Sequence, residues 1–281
     1  HYWFDTQPSV TKTANDYAER LREDVETVWN EITRRLRSEE RGRGVFNRVH
    51  VAPSSSADIP DLEDTRLVIG HPRHARRKQD GPDSAAHAWV RDAIESKGAS
   101  QRIHRNTLIF LLADKVALES LESATRSYLA WKRVQDTSES LNLSVQQRKQ
   151  TDDWVSRLDQ TVADRIRDTF VWAVYPEQFD PTKPFKLVAD RVPDSGGRSL
   201  AERAGAKLGR EDQLITDFGA AILGATLHNE LGTLWHNESE ITVGKLWGYF
   251  PRYPSLPRLV RREVLDAAIQ QALTAVLVND E

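Results

Sequence analysis

Residues 107–113 read Thr-Leu-Ile-Phe-Leu-Leu-Ala and are apolar on both faces of an extended chain. A strand with one face in water alternates apolar and polar residues, whereas a strand covered on both faces is apolar throughout. This segment therefore predicts a central, parallel strand with helices packed on both sides of its sheet. At 281 residues the chain is long enough to bury such a core in one large or two modest domains.

The remaining sequence supplies further strands and helices around this strand. Segments rich in β-branched and aromatic residues predict strands at 45–51, 65–69, 170–175 and 185–189. Apolar residues at helical spacing predict helices at 14–37, 84–96, after Asp114, and at 199–209, 217–235, 242–249 and 259–277. Residues from about 144 to 169 predict a long polar helix or a helical hairpin. This order indicates an α/β fold in which a mostly parallel layered sheet with flanking helices occupies residues 1–193. A helical C-terminal domain follows at residues 194–281.

The composition excludes several classes of protein. The chain has no cysteine, which excludes disulfides, thiolate metal sites and cysteine nucleophiles. No apolar run approaches the roughly 20 residues that cross a bilayer, and no secretory signal pattern is present. We therefore expect a cytoplasmic protein without a membrane partner. The formal net charge of −3, from 39 Lys and Arg against 42 Asp and Glu, gives no nucleic-acid signature for the whole chain.

The sequence also lacks the motifs of common catalytic sites. No G-x-x-x-x-G-K-[ST] phosphate-binding loop is present, and the glycines at 196–199 and 243–246 do not have its spacing. There is no G-x-S-x-G elbow of a serine hydrolase. We therefore predict no catalytic residue, and we do not expect this chain alone to be an enzyme. The missing loop suggests a piece of a larger protein.

The histidines do not form a recognisable metal motif. His71 and His74 are three residues apart in a predicted loop, and His228 and His236 are eight apart. No H-E-x-x-H spacing or comparable carboxylate accompanies either pair. We predict no metal site.

Charged residues at both ends of the central strand are candidates for a site. Arg102 and Arg105 precede the strand and could reach the phosphates of a neighbouring subunit, as an arginine finger does. The alternative, which we favour, is that they are solvated loop charges. Asp114 follows the strand, where ligands gather in open α/β sheets. It could orient a metal or a nucleophile, but we favour a role as the N-cap of the next helix.

Two basic groups are candidates for binding DNA, namely Arg73, Arg76, Arg77 and Lys78 in a predicted loop and Arg258, Arg261 and Arg262 before the last helix. The last two helices, of which Thr242 caps the first, resemble a helix-turn-helix or winged helix, whose recognition helix contacts DNA near its N-terminus. The alternative is a packing platform, favoured by a dense set of apolar side chains, Leu246, Trp247, Tyr249, Phe250, Tyr253 and Leu256. The loop at 73–78 is either solvated, as we favour, or a phosphate site.

Several stretches together resemble one family: Tyr2–Pro8, Val49–Pro53, Arg105–Leu111, Tyr128–Trp131 and Leu246–Leu259. They resemble the C-terminal half of the large P-loop ATPases of domain-of-unknown-function family 499. Members of that family are associated with bacterial anti-phage defence, some of the BREX type. The resemblance spans most of the chain, and its motifs are structural in character.

The resemblance implies that the phosphate-binding loop, with ATP and Mg²⁺, belongs to an N-terminal ATPase half of the parent protein. No catalytic residue is carried over, and Arg102 and Arg105 are the candidates for nucleotide sensing. Our leading hypothesis is the C-terminal region of an AAA-like ATPase that couples nucleotide state to assembly, including a homo-oligomer, or to partner binding. The alternative is a DNA-binding module.

Overall fold

The computed structural model describes residues 9–194, 196–229 and 240–279. The helices within these ranges are α1 Val10–Arg20, α2 Val25–Leu36, α3 Ala85–Glu95, α4 Lys115–Asp136, α5 Val145–Thr169, α6 Leu200–Arg210, α7 Ala220–Asn229, α8 Val243–Trp247 and α9 Arg262–Asn279. The strands are β1 Val49–Val51, β2 Arg66–Ile69, β3 Ser96–Lys97, β4 Ser100–Gln101, β5 Leu108–Ala113, β6 Phe170–Glu177 and β7 Lys186–Arg191. The stretch Tyr2–Pro8, His236 and the predicted helix end at 230–235 lie outside the described residues.

Five strands form one sheet in the order β1-β2-β5-β6-β7. The α/β prediction is confirmed, and β5 is the central strand with every residue buried. The sheet is mixed, because β1, β2 and β5 run parallel while β6 and β7 pair antiparallel. The cause is the connection between β5 and β6. Its two long helices, α4 and α5, pack on each other and return the chain to the end of the sheet at which β5 finishes. The next strand must then enter in the opposite direction.

Helices cover both faces of the sheet. Alternate strand residues point to a larger core shared with α2, α4 and the C-terminal helices, namely Leu67, Ile69, Ile109, Leu111, Ala173 and Tyr175. The intervening residues pack against α3, namely Val68, Leu108, Phe110, Leu112 and Val174. This alternation explains why the central strand is apolar throughout.

The predicted helix at 14–37 is two helices. The helical period continues through residues 21–24, but Asp24 caps α2 by accepting a hydrogen bond from the backbone N–H of Thr27 at 3.1 Å. A side chain that binds its own backbone in this way competes with helix continuation. The predicted cap Thr242 is confirmed, because its hydroxyl oxygen accepts from the N–H group of Lys245. Ser84 caps α3 in the same way, by accepting from the N–H group of His87.

The C-terminal helices pack on the sheet. The larger core contains both sheet residues and the C-terminal residues Leu246, Trp247, Phe250 and Leu256, so the prediction of a packing platform is confirmed. The predicted boundary at 193/194 stays a prediction, since the core continues across it. The described residues after 196 form no β-strand, only an isolated bridge between Ile215 and Leu259, so no wing of a winged helix is found there. No described helix has the length and apolar character of a membrane span.

Candidate binding cleft

An open cleft of about 510 Å³ lies at the amino ends of the parallel strands. Three segments that are distant in sequence form it: 95–105 before β5, 178–185 between β6 and β7, and 252–255 in the C-terminal part. Its size falls in the range of small-ligand sites, about 300–1,000 Å³. We call this feature the cleft. The side chains that matter for its chemistry are Glu95, Ile103, Arg105, Phe185, Arg252 and Tyr253.

Asn106 holds two sides of the cleft together. Its backbone N–H donates to the carbonyl of Pro251 at 2.8 Å. Its side-chain Nδ2 donates to the carbonyls of Phe250 at 3.0 Å and Leu256 at 3.1 Å. Because Asn106 is buried and lies two residues before β5, these bonds place Arg252 and its neighbours beside Arg105.

Asp61 fixes the segment that carries Arg105. Its carboxylate accepts from the backbone N–H groups of Ile103 at 2.8 Å and His104 at 3.1 Å, and from the His104 ring at 2.9 Å. Burial raises the pKa of Asp61, but these hydrogen bonds outweigh it and the pKa is lowered. The loop before β5 is therefore held by an ionised carboxylate.

The third side of the cleft is an ordered loop. Gln178 donates through Nε2 to the carbonyl of Lys183 at 2.6 Å. Phe185 is buried, and the Arg91 guanidinium lies 5.0 Å from the centre of its ring. Arg91 also pairs with Glu95 at 3.8 Å. The acidic residue of the cleft therefore already has a cation beside it.

Arg105 and Arg252 are the cations available to a ligand. Arg252 is exposed and Arg105 half-buried. Arg105 uses Nε to donate to the carbonyl of Arg102 at 3.3 Å, and neither arginine pairs with a carboxylate in the described part of the chain. Of the two predicted nucleotide-sensing residues, Arg105 thus faces the cleft, while its role stays a prediction.

Arg102 is not the solvated loop charge that the sequence favoured. Its side chain is 0% exposed and donates to the carbonyls of Ala93 at 2.8 Å, Pro60 at 2.9 Å and Ile59 at 3.0 Å. Burial lowers its pKa. Because these carbonyls occupy its guanidinium, Arg102 ties the loop before β2 to α3 and is not available to a phosphate in this structure.

At the opposite, carboxyl end of β5, Asp114 is the N-cap of α4, as favoured from the sequence. Its Oδ1 accepts from the N–H groups of Val116 at 3.0 Å and Ala117 at 3.1 Å. Its Oδ2 accepts from Trp172 Nε1 at 3.0 Å. Burial opposes ionisation, but these hydrogen bonds prevail and lower the pKa of Asp114. Among the described residues no cluster of three or more His, Asp or Glu is arranged to hold a metal ion.

No protein-family model, curated protein or solved structure matches this chain.

Two of the predicted DNA-binding residues lie inside the protein. Arg76 is 3% exposed, with its guanidinium 4.5 Å from the Trp172 ring centre. Arg258 donates to the carbonyls of Asn106 at 3.0 Å, Gln213 at 3.0 Å and Pro176 at 2.6 Å. Burial lowers the pKa of Arg258 to about 10. Both guanidinium groups are buried, so neither is at a surface that DNA could reach.

The other members of the predicted DNA-binding set, Arg73, Arg77, Lys78, Arg261 and Arg262, are exposed. Arg73 pairs with Glu26 at 3.4 Å, and Arg262 pairs with Asp266 at 3.5 Å. They remain accessible charges on two separate segments of the chain.

The sequence did not indicate Tyr253 and Phe185 as lining residues of the cleft, or Asn106 as the residue that joins two of its sides. The proline-rich segment 251–257 was a visible signal of an ordered, irregular connection. Nothing in the sequence indicated that this segment meets residue 106, because the partners of Asn106 are backbone carbonyls.

Burial lowers the pKa of two half-buried histidines far below the usual range. Burial is the main cause that lowers the pKa of His50 to about 4, followed by the nearby charge of Arg66. Burial also lowers the pKa of His74 to about 4. The His74 ring stacks on Trp89 with 4.3 Å between the ring centres. Both histidines are therefore neutral near pH 6.

We expect the free energy of unfolding to fall as the pH falls from about 6.5 to about 4. The folded-state pKa lies below the unfolded value, so the unfolded chain takes up roughly one additional proton per histidine in this window. His74→Phe keeps the ring on Trp89 and should reduce the pH dependence, whereas exposed His228→Gln should not. Urea unfolding at several pH values measures this, and equal slopes for both variants and the unsubstituted chain would contradict it.

Proposed function

We propose that this chain is a non-catalytic, cytoplasmic region of a larger AAA-like ATPase of the anti-phage type that it resembles, and that it couples nucleotide state to partner binding at the cleft. ATP and Mg²⁺ would bind to the N-terminal ATPase half of that protein. Assembly into a homo-oligomer belongs to the same proposal.

The supporting observation is that the cleft is built from both parts of the chain. Segments 95–105 and 178–185 come from the α/β part, and segment 252–255 comes from the C-terminal part. A movement of the C-terminal part relative to the sheet would therefore change the shape of the cleft. A nucleotide and a partner that favour different positions of that part are thermodynamically coupled.

Amide hydrogen exchange in the longer protein tests this coupling. We expect the exchange rates of 95–105 and 252–255 to differ between the ADP-bound and the ATP-analogue-bound states. The helical pair α4 and α5 lies outside the cleft and is the internal control, with unchanged rates. Identical rates in the cleft segments in every nucleotide state would contradict the proposal, as would ATP hydrolysis by the isolated chain.

The DNA-binding alternative stays a prediction without a specific structural observation in its favour. Arg76 and Arg258 are interior, and Arg73 and Arg262 already pair with carboxylates. Arg261 lies beside Asp64 and Glu263, which would repel a phosphate backbone.

A further inference from the structure

The cations of the cleft favour a ligand that carries anionic groups, of which carboxylates are one class. Arg105 and Arg252 come from different parts of the chain, and neither has an ion-pair partner among the residues that the structure describes. A guanidinium presents a planar fork of N–H donors that matches the two oxygens of a carboxylate. Two such forks in one cleft can bind two acidic groups.

Apolar side chains line the same cleft as these arginines. Ile103 is 55% exposed and Tyr253 is 36% exposed, both lining the cleft. Phe179 is 89% exposed on the loop that supplies Gln178. Aromatic residues and arginines brought together at a surface are typical of the central residues of protein interfaces. The ligand should therefore carry apolar side chains as well as charge.

The backbone of the cleft disfavours a polyphosphate. Polyphosphate sites commonly combine cationic side chains with backbone N–H groups at glycine-rich loops or helix N-termini. Three residues that line the cleft are prolines, Pro181, Pro184 and Pro254, and these have no N–H to donate. Glu95 adds a carboxylate to the lining. An extended peptide meets this chemistry better, because prolines and aromatic rings pack against its side chains.

We propose that the cleft binds an acidic peptide segment in which carboxylates flank an aromatic or aliphatic side chain. Arg105 and Arg252 take the carboxylates, and Ile103, Phe185 and Tyr253 contact the apolar side chain. This inference rests on the proposed function, since it names the partner chemistry of the same cleft. The chain as a whole is slightly acidic, so the attraction is local and weakens as salt screens it.

Fluorescence anisotropy with the full 281-residue chain tests the inference. The probe is a short fluorescein-labelled peptide that alternates glutamate and phenylalanine. We expect it to bind at least about tenfold more tightly than two control peptides, because charge-assisted hydrogen bonds and apolar contacts both contribute. In one control glutamine replaces each glutamate, and in the other serine replaces each phenylalanine.

The protein variants locate the binding. Arg105→Ala with Arg252→Ala should weaken binding of the probe at least about tenfold. The matched control, Arg77→Ala with Lys78→Ala, removes the same charge from an exposed loop outside the cleft and should leave binding unchanged. Equal loss in both double variants, equal affinity for all three peptides, or no binding of the probe would overturn the inference.

ATP in place of the peptide separates the two ligand classes. Binding of ATP to the isolated chain that is lost in the Arg105→Ala, Arg252→Ala variant would assign the cleft to nucleotide and overturn the peptide inference. Failure of the peptide experiment with a nucleotide-dependent exchange pattern leaves the proposed function standing. Peptide binding together with an exchange pattern that does not depend on nucleotide supports the peptide site and contradicts the proposed nucleotide coupling.

Discussion

Arg102→Ala is expected to lower the free energy of unfolding by about 4 kcal/mol. The substitution leaves the carbonyls of Ala93 and Ile59 buried without a side-chain donor, while the carbonyl of Pro60 keeps a hydrogen bond from Arg66. Each buried acceptor that loses its partner costs about 1–3 kcal/mol. The loop at 56–60 also loses its main connection to α3. Urea unfolding followed by circular dichroism measures the change.

Arg105→Ala is the matched control, since it removes the same side chain three positions further along the same segment. Arg105 is half-buried and makes one hydrogen bond, to the carbonyl of Arg102. We expect a change within about 0.5 kcal/mol. A large loss of stability for Arg105→Ala, or a small one for Arg102→Ala, would contradict the division between an interior and a binding arginine.

Arg258→Ala is expected to have an effect of similar size, a loss of about 4 kcal/mol. Its guanidinium donates to carbonyls of three separate segments, at Asn106, Pro176 and Gln213, and lies 5.2 Å from the Tyr175 ring centre. Without it, the C-terminal part keeps its apolar contacts, but the buried carbonyls of Asn106 and Pro176 and the part-buried carbonyl of Gln213 lose their donor. Urea unfolding of the variant measures the loss.

Two further variants sharpen this result. Arg258→Lys keeps a positive charge but lacks the fork that reaches three carbonyls, so it should restore little of the stability. Arg261→Ala removes an exposed arginine three positions later and should change stability by less than about 0.5 kcal/mol. Full stability of Arg258→Lys would show that charge alone matters and would contradict the role given to the carbonyls.

Much of the fold could be predicted from the sequence because apolar spacing is a strong local signal. The long helix or helical hairpin predicted at 144–169 is the single helix α5, Val145–Thr169, and the capping box of Ser144 and Gln147 explains its sharp start. The central strand could be predicted because all six of its residues are apolar, as burial on both faces requires. These features depend on side chains that are neighbours in sequence.

The direction of β6 and the burial of individual arginines could not be predicted in this way. Strand direction depended on how α4 and α5 pack, a contact between residues far apart in sequence. Arg66, Arg76, Arg102, Arg203 and Arg258 are all buried, although arginine is ordinarily a surface residue. Most of their partners are backbone carbonyls, which every residue type supplies. No pattern of residue types marks such a partner.

The use of backbone carbonyls as partners of buried arginines also determines which positions of this sequence can change during evolution. A carbonyl that binds Arg102 or Arg258 is present whatever side chain its residue carries, so substitutions at Ala93, Ile59 or Gln213 keep the hydrogen bond as long as the backbone path is kept. The guanidinium has no such freedom. Descendants of this chain could therefore change residue type at these carbonyl positions, within the limits that core packing sets at Ala93 and Ile59, and still carry isolated arginines at a few interior positions.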